Sequence, residues 1–129
     1  MAAVILIVDD NSINLKLASH VLESAGFVVE GAKDAEQAQQ MLDQMLPDLI
    51  LMDIALPGMD GLTLTRKLKA DPRFKHVPVV ALTAFAMKGD DRRALDAGCD
   101  GYIAKPIDTR NLPQQVRRFL RPDSRGQST

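Results

Sequence analysis

Four short apolar runs each end on residues able to handle a metal ion or a phosphoryl group. Val4–Val8 runs into Asp9 and Asp10, and Leu49–Met52 into Asp53. Val79–Leu82 runs into Thr83 and Ala84, and Tyr102–Ala104 into Lys105 and Pro106. In an open parallel α/β sheet, ligands bind just outside the carboxyl ends of the strands. Parallel packing of these runs therefore gathers three carboxylates, a hydroxyl and an ammonium at one sheet edge. Two like charges ~4 Å apart at an effective dielectric of ~20 repel by roughly 4 kcal/mol, so three ionised acids call for a cation. Hard oxygen ligands in an open, watery site suit Mg²⁺, which usually takes one or two carboxylates and keeps several waters. A carboxylate can also act as a nucleophile and form an aspartyl phosphate. Asp53, the single acid ending the most apolar run, is the candidate acceptor, with Asp9 and Asp10 as metal ligands. Thr83 can donate its hydroxyl to a phosphoryl oxygen, and Lys105 can pair with another. Each acid alone also reads as a turn or helix cap; the combination of five is far more specific.

The elements that must position these residues alternate between strand and helix five times. Val4–Val8 is the first strand, and Ser12–Ala25 has helical spacing with Gly26 placed to end it. Phe27–Ala32 is a weaker strand; Asp34 can cap a helix carrying Ala35, Ala38, Met41, Leu42 and Met45, closed by Pro47. Leu49–Met52 is continuously apolar, as suits a strand covered on both faces. After the turn-rich Pro57–Gly61, Leu62–Ala70 reads as a helix broken by Asp71-Pro72. Val77–Leu82 is the fourth strand, Met87–Ala97 a helix ended by Gly98, and Gly101–Ala104 the fifth strand. Leu112, Val116, Phe119 and Leu120 make the apolar stripe of a last helix, and Pro113 fits only if that helix starts near Asn111. Regular βα alternation with short loops implies right-handed crossovers and helices on both faces of a parallel sheet. Residues 1–121 form the expected domain, and Pro122–Thr129 a frayed polar tail.

The chain of 129 residues fits one domain with a real core. A net charge of −1 gives no pull toward nucleic acid or anionic membrane. The single cysteine, Cys99, excludes an internal disulfide framework and suits a reducing compartment. No run approaches the ~20 apolar residues of a membrane span, and the start of the chain reads as a buried strand, not a signal peptide. A cytoplasmic, bacterial location is the expectation. His20 and His76 have no second histidine or cysteine at ligand spacing and read as surface residues; Cys99 reads as a small core or loop residue with no redox role.

The stretches VILIVDDN (4–11), PDLILMDIALPGMDG (47–61), PVVALTA (78–84) and GYIAKPI (101–107) together resemble the receiver domain of two-component response regulators. The resemblance spans Val4 to Leu120. It implies a (βα)5 doubly wound, flavodoxin-like sheet of order 2-1-3-4-5, with Asp53 phosphorylated by a histidine kinase or histidine phosphotransfer protein. Carried over by motif, Asp9 and Asp10 are the acid pair, Thr83 the switch hydroxyl and Lys105 the lysine. Ala55 would lend its backbone carbonyl to Mg²⁺, and Tyr102 falls on the rotating aromatic position. Receivers that look like this one have a cis peptide at the position of Pro106. Within the family, VDDNSINLKL, LTAFAMKGD and KPI are similar to single-domain regulators of the DivK type and to receivers of hybrid histidine kinases.

Around the phosphoryl site stand Ala84, Phe85 and Pro106. Ala55 and Phe85 offer no polar side chain to orient a hydrolytic water, so a long-lived phosphoryl group is expected. A downstream protein is expected on the face of the fourth helix, fifth strand and fifth helix, although the arginines there (Arg92, Arg93, Arg110, Arg117, Arg118) also read as a solvated face. The expected function is a phosphorylation-controlled interaction switch that catalyses only its own phosphorylation and dephosphorylation. The alternative is a Mg²⁺-dependent aspartyl phosphatase or phosphotransferase, against which stands Ala55, where such enzymes carry a second acid. A flavin or nucleotide binder ranks last, because no Gly-rich phosphate loop follows any strand.

Overall fold

The computed structural model describes residues 2–56, 58–83, 90–105 and 107–120. The elements run β1 (Val4–Val8), α1 (Ser12–Ser24), β2 (Val28–Ala32), α2 (Ala35–Leu42), β3 (Leu49–Asp53), α3 (Gly61–Ala70), β4 (Val79–Thr83), α4 (Asp90–Asp96), β5 (Gly101–Ala104) and α5 (Leu112–Phe119). The five strands pair in parallel in the order β2-β1-β3-β4-β5. That is the expected sheet; the order in which the chain adds strands reverses between β1 and β3, where such sheets open a crevice for ligands.

The sheet divides the core into two layers. Leu6, Val8, Ile50, Met52, Val79 and Ala81 pack with residues of α2, α3 and α4. Ile5, Ile7, Leu49, Leu51, Leu82 and Ile103 pack with residues of α1 and α5. Strict alternation along each strand produces this split. Every residue of β3 is buried, and each such Leu or Ile contributes about 1.5–3 kcal/mol.

Helix stops follow the glycines. Gly26 has φ 99° and Gly98 φ 107°. At each, the next residue's N–H reaches back to close the helix, Phe27 to Leu22 at 3.1 Å and Cys99 to Ala94 at 3.0 Å. These are Schellman closures, which need the left-handed backbone that glycine adopts freely. In α5, Asn111 is the cap and Pro113 lies in the first turn, where its missing N–H has no helical partner to lose.

Several boundaries differ by a residue or more from the sequence expectation; β3, for example, runs on through Asp53 and β2 begins at Val28. α2 ends at Leu42, leaving Met45 outside it, because Gln44 N–H turns back to the Met41 carbonyl at 3.0 Å. β4 begins at Val79, not Val77: Val77 N–H closes a turn on Phe74, and Pro78 has no N–H to donate. β4 also extends one residue further, so Thr83 belongs to the strand. The proposed first turn of α4, Met87–Gly89, lies outside the described residues.

Candidate functional site

Asp9 and Asp53 reach the carboxyl edge of the sheet by the same local device. Asp9 Oδ1 accepts the Asn11 N–H at 2.9 Å, and Asp53 Oδ1 accepts the Ala55 N–H at 3.0 Å. A carboxylate that binds the amide two residues on makes an Asx turn, which is available to Asp without cost in backbone strain. The turn fixes one oxygen of each acid and leaves the other, Oδ2, facing a common space. Alternation explains why they share it: Asp9 continues the row of Ile5 and Ile7, Asp53 that of Leu49 and Leu51, and Lys105 that of Ile103.

Lys105 Nζ sits 2.9 Å from Asp53 Oδ2 and 3.4 Å from Asp9 Oδ2. The first contact is a charge-assisted hydrogen bond. The second is an ion pair without a hydrogen bond, so Asp9 Oδ2 is buried with no hydrogen-bond partner. Asp9 is 1% and Asp53 5% exposed, whereas Asp10 is exposed at the rim. Ligand oxygens of Asp9, Asp10 and Asp53 all lie within 4.8 Å of one another.

Burial pushes the Asp53 carboxyl above its ordinary value, and the Asp9 charge adds to the rise. The Lys105 ammonium and the Ala55 amide pull it down without cancelling the effect. For Lys105, burial works against the charged form, but the hydrogen bond and charge of Asp53, with the charge of Asp9, outweigh it and raise the ammonium above its ordinary value. Both shifts have one sense: Asp53 and Lys105 each retain a proton more readily than usual. The orphaned Asp9 oxygen, the tight acid triad and the open Asp10 side fit a hard divalent cation that keeps part of its water shell.

Thr83 ends β4 and is buried. Its strand neighbours place it at this edge, since Leu82 pairs with Asp53 and Thr83 with Ala104. Its carbonyl accepts the Lys105 N–H at 2.8 Å, tying the hydroxyl-bearing and ammonium-bearing segments together. Tyr102 pairs with Ala81 and is 40% exposed, on the face opposite Ile103. Ala55 itself is exposed beside Asp53. Ala84, Phe85 and Pro106, singled out from the sequence, lie outside the described residues.

The amide donors of Asn11 and Ala55 were not legible as site groups, although the acid followed by a turn after each strand is the signal that finds them. His20 and His76 are exposed, and Cys99 is buried with its thiol pushed up by desolvation. Arg117 is more than a solvated charge: its guanidinium donates to the Ala25 carbonyl at 3.3 Å and lies over the Phe27 ring at 5.4 Å. Among the described residues, no helix is long and apolar enough to cross a membrane.

The sequence profile described as "Response regulator receiver domain" matches residues 5–117. The polar-differentiation response regulator DivK of Brucella ovis is 40% identical over 120 residues, covering 93% of this chain and 98% of the relative. The receiver domain of a Pseudomonas aeruginosa sensor histidine kinase, solved with a magnesium ion coordinated in its active site cleft, superposes with a TM-score of 0.84. It is 36% identical and covers 92% of this chain and 98% of that one. The chemotaxis response regulator CheY4 of Vibrio cholerae superposes with a TM-score of 0.88 at 27% identity, covering 93% of this chain and 100% of that one.

Proposed function

The chain belongs to the response regulator receiver family, the phosphorylation-controlled switches of two-component signalling, and from that premise we propose that Asp53 is its phosphoacceptor. The observation that carries the assignment is the Asp53 carboxylate itself. It is buried, held by the Ala55 amide on one oxygen and by Lys105 on the other, beside two further acids.

In the proposed step an Asp53 oxygen attacks the phosphorus of a phosphohistidine on a histidine kinase or phosphotransfer protein. The P–O bond forms as the P–N bond breaks, and the imidazole leaves with its electron pair and takes up a proton from water. The Ala55 amide keeps the other oxygen in place during attack. Lys105, released from Asp53, is within reach of a phosphoryl oxygen, and the Thr83 hydroxyl is the partner for another. Asp9, Asp10, Asp53 and the Ala55 backbone carbonyl are the residues to hold Mg²⁺, which supplies positive charge against the phosphoryl oxygens. Positioning and charge neutralisation account for most of such a transfer. The protein is thus a catalyst of its own phosphorylation and dephosphorylation and not an enzyme acting on other substrates. Ala55, exposed and apolar, gives an attacking water no side-chain base, which supports a long-lived acyl phosphate.

The switch follows from differential contact: a phosphoryl group favours whichever conformation brings the Thr83 hydroxyl to it. Tyr102, now outward on β5, turns inward in the phosphorylated state. Apolar surface for the downstream protein is present on that side, with Leu95 on α4 50% exposed. Ile13, 75% exposed on the first turn of α1 beside Asp10, offers such surface to the phosphodonor. The receiver family supports a cytoplasmic role; residues 1–121 are read as the receiver, and the tail expected at 122–129 lies outside the described residues.

The test is incubation with Mg²⁺ and acetyl phosphate, read by intact mass. One phosphoryl group is expected, lost with EDTA and lost in Asp53→Asn. Full labelling of Asp53→Asn, or labelling indifferent to EDTA, overturns the assignment. Thr83→Ala is expected to label yet fail to alter partner binding.

A further inference from the structure

Gly61 opens α3, a position where alanine is the better helix former. Its φ is not in the left-handed region, so backbone freedom does not explain it. Space does. A Cβ at this position would fall inside contact distance of the Asp53 carbonyl oxygen, and 3.0 Å from both the Asp53 carbonyl carbon and Met52 Cγ. The obstruction is backbone, which cannot rotate aside as a side chain does.

The same residue is held from two sides. Its N–H donates to the Ile54 carbonyl at 3.1 Å. Its carbonyl accepts the Thr65 hydroxyl at 2.8 Å, and Thr65 is fully buried one turn along α3. Asp60 completes the seat by accepting the Thr63 N–H at 2.8 Å, capping the helix. The first turn of α3 is therefore pressed against the peptide units of Asp53 and Ile54, which lead directly to the Ala55 amide that orients Asp53.

We infer that Gly61, locked by Thr65, is a positioning residue: the close approach of α3 to the Asp53 backbone sets where the Asp53 carboxylate and the Ala55 peptide stand. The inference rests on the reading of Asp53 and Ala55 as acceptor and metal-holding groups. It predicts that added bulk at 61 shifts these groups and weakens cation binding even when the domain stays folded. Outer-shell changes of this kind cost about 10–100-fold in metal affinity.

The experiment is a Mg²⁺ titration of the whole chain, followed by amide chemical shifts, on wild type, Gly61→Ala, Thr65→Val and Gly101→Ala. Gly101→Ala is the control, because its Cβ would strike the Phe119 ring at the far edge of the sheet. Gly61→Ala is expected to bind Mg²⁺ about tenfold more weakly, with the Ala55 amide resonance displaced before any metal is added. Gly101→Ala is expected to unfold more easily yet keep wild-type affinity. Should Gly61→Ala not fold, Thr65→Val decides, since it removes the locking hydroxyl without adding bulk; a smaller weakening in the same direction is expected. Wild-type affinity in a folded Gly61→Ala, or in Thr65→Val where that variant decides, overturns the positioning role alone. A wild-type chain that binds no Mg²⁺ overturns the proposed metal site, and this inference with it.

Discussion

Aspartates flank the strands at both edges of the sheet, and the two edges treat them in opposite ways. At the amino edge, Asp48 precedes β3 and Asp100 precedes β5. Asp48 donates its N–H to the Val4 carbonyl at 2.7 Å and accepts the Val4 N–H on Oδ2 at 2.8 Å. Asp100 does the same with Val79, at 2.7 and 2.8 Å, and also holds Lys69 Nζ at 2.9 Å. Each acid there closes a ring with the first residue of a neighbouring strand. At the carboxyl edge, Asp9 and Asp53 satisfy Oδ1 locally and leave Oδ2 to share a single lysine. One edge uses its acids to complete the fold; the other concentrates charge that the fold alone does not balance. Strand direction is the cause. Strand-starting N–H groups at the amino edge are donors in need of acceptors, whereas the carboxyl edge presents carbonyls and offers the acids few donors.

The largest effect expected from breaking this contrast is on the amino edge. Asp100→Ala removes the acceptor of the Val79 N–H and a partner of Lys69, and hydrogen bonds to charged groups are worth about 1.5–3 kcal/mol. The Lys69 pair is partly exposed, so most of the loss comes from the strand amide. Urea unfolding is expected to show about 2 kcal/mol less stability, with acetyl phosphate labelling unchanged.

A cap at the carboxyl side is expected to cost less. Asp60→Ala removes the acceptor of the Thr63 N–H, a loss of about 1 kcal/mol for an N-cap. That hydrogen bond also holds the Asp60 carboxyl below its ordinary value of 3.8. A depressed carboxylate contributes stability that is fully present above the unfolded value and lost as pH falls through the folded one. The difference between wild type and Asp60→Ala is therefore expected to shrink below about pH 4, as acid titrations of both will show.

The smallest effect has the opposite sign. Asp10→Asn removes one of three crowded carboxylates, and because Asp10 is exposed, solvent screens most of the repulsion. The metal-free variant is expected to be about 0.5 kcal/mol more stable than wild type. Added Mg²⁺ is expected to raise the melting temperature of wild type and to leave Asp10→Asn nearly unmoved, by linkage to the folded state. A destabilised Asp10→Asn means that the carboxyl edge is as well satisfied as the other.

Much of this was legible in the sequence because it is local. Apolar runs of strand length, Gly26 and Gly98 as stops, and Pro113 near a helix start each depend on neighbours a few residues away. The acids after the strands were legible for the same reason, since the parallel topology that gathers them follows from βα alternation. What sequence could not supply was set by partners distant in the chain. The amino-edge roles of Asp48 and Asp100 need Val4 and Val79, 44 and 21 residues away. The late start of β4 depends on a turn closed by Phe74 and on the same Asp100 bond. The seat of Gly61 on the Asp53 carbonyl is a matter of sub-ångström space, which no residue pattern encodes.

The contrast between the edges comes down to which aspartate carries the phosphoryl group, and fragmentation mass spectrometry reads that directly. Wild-type protein is incubated with Mg²⁺ and acetyl phosphate, and the acyl phosphate is trapped and mapped. Modification of Asp53 and of no other acid is expected. Modification of Asp9 or Asp10, or of Asp48 or Asp100 at the opposite edge, would contradict the assignment of Asp53.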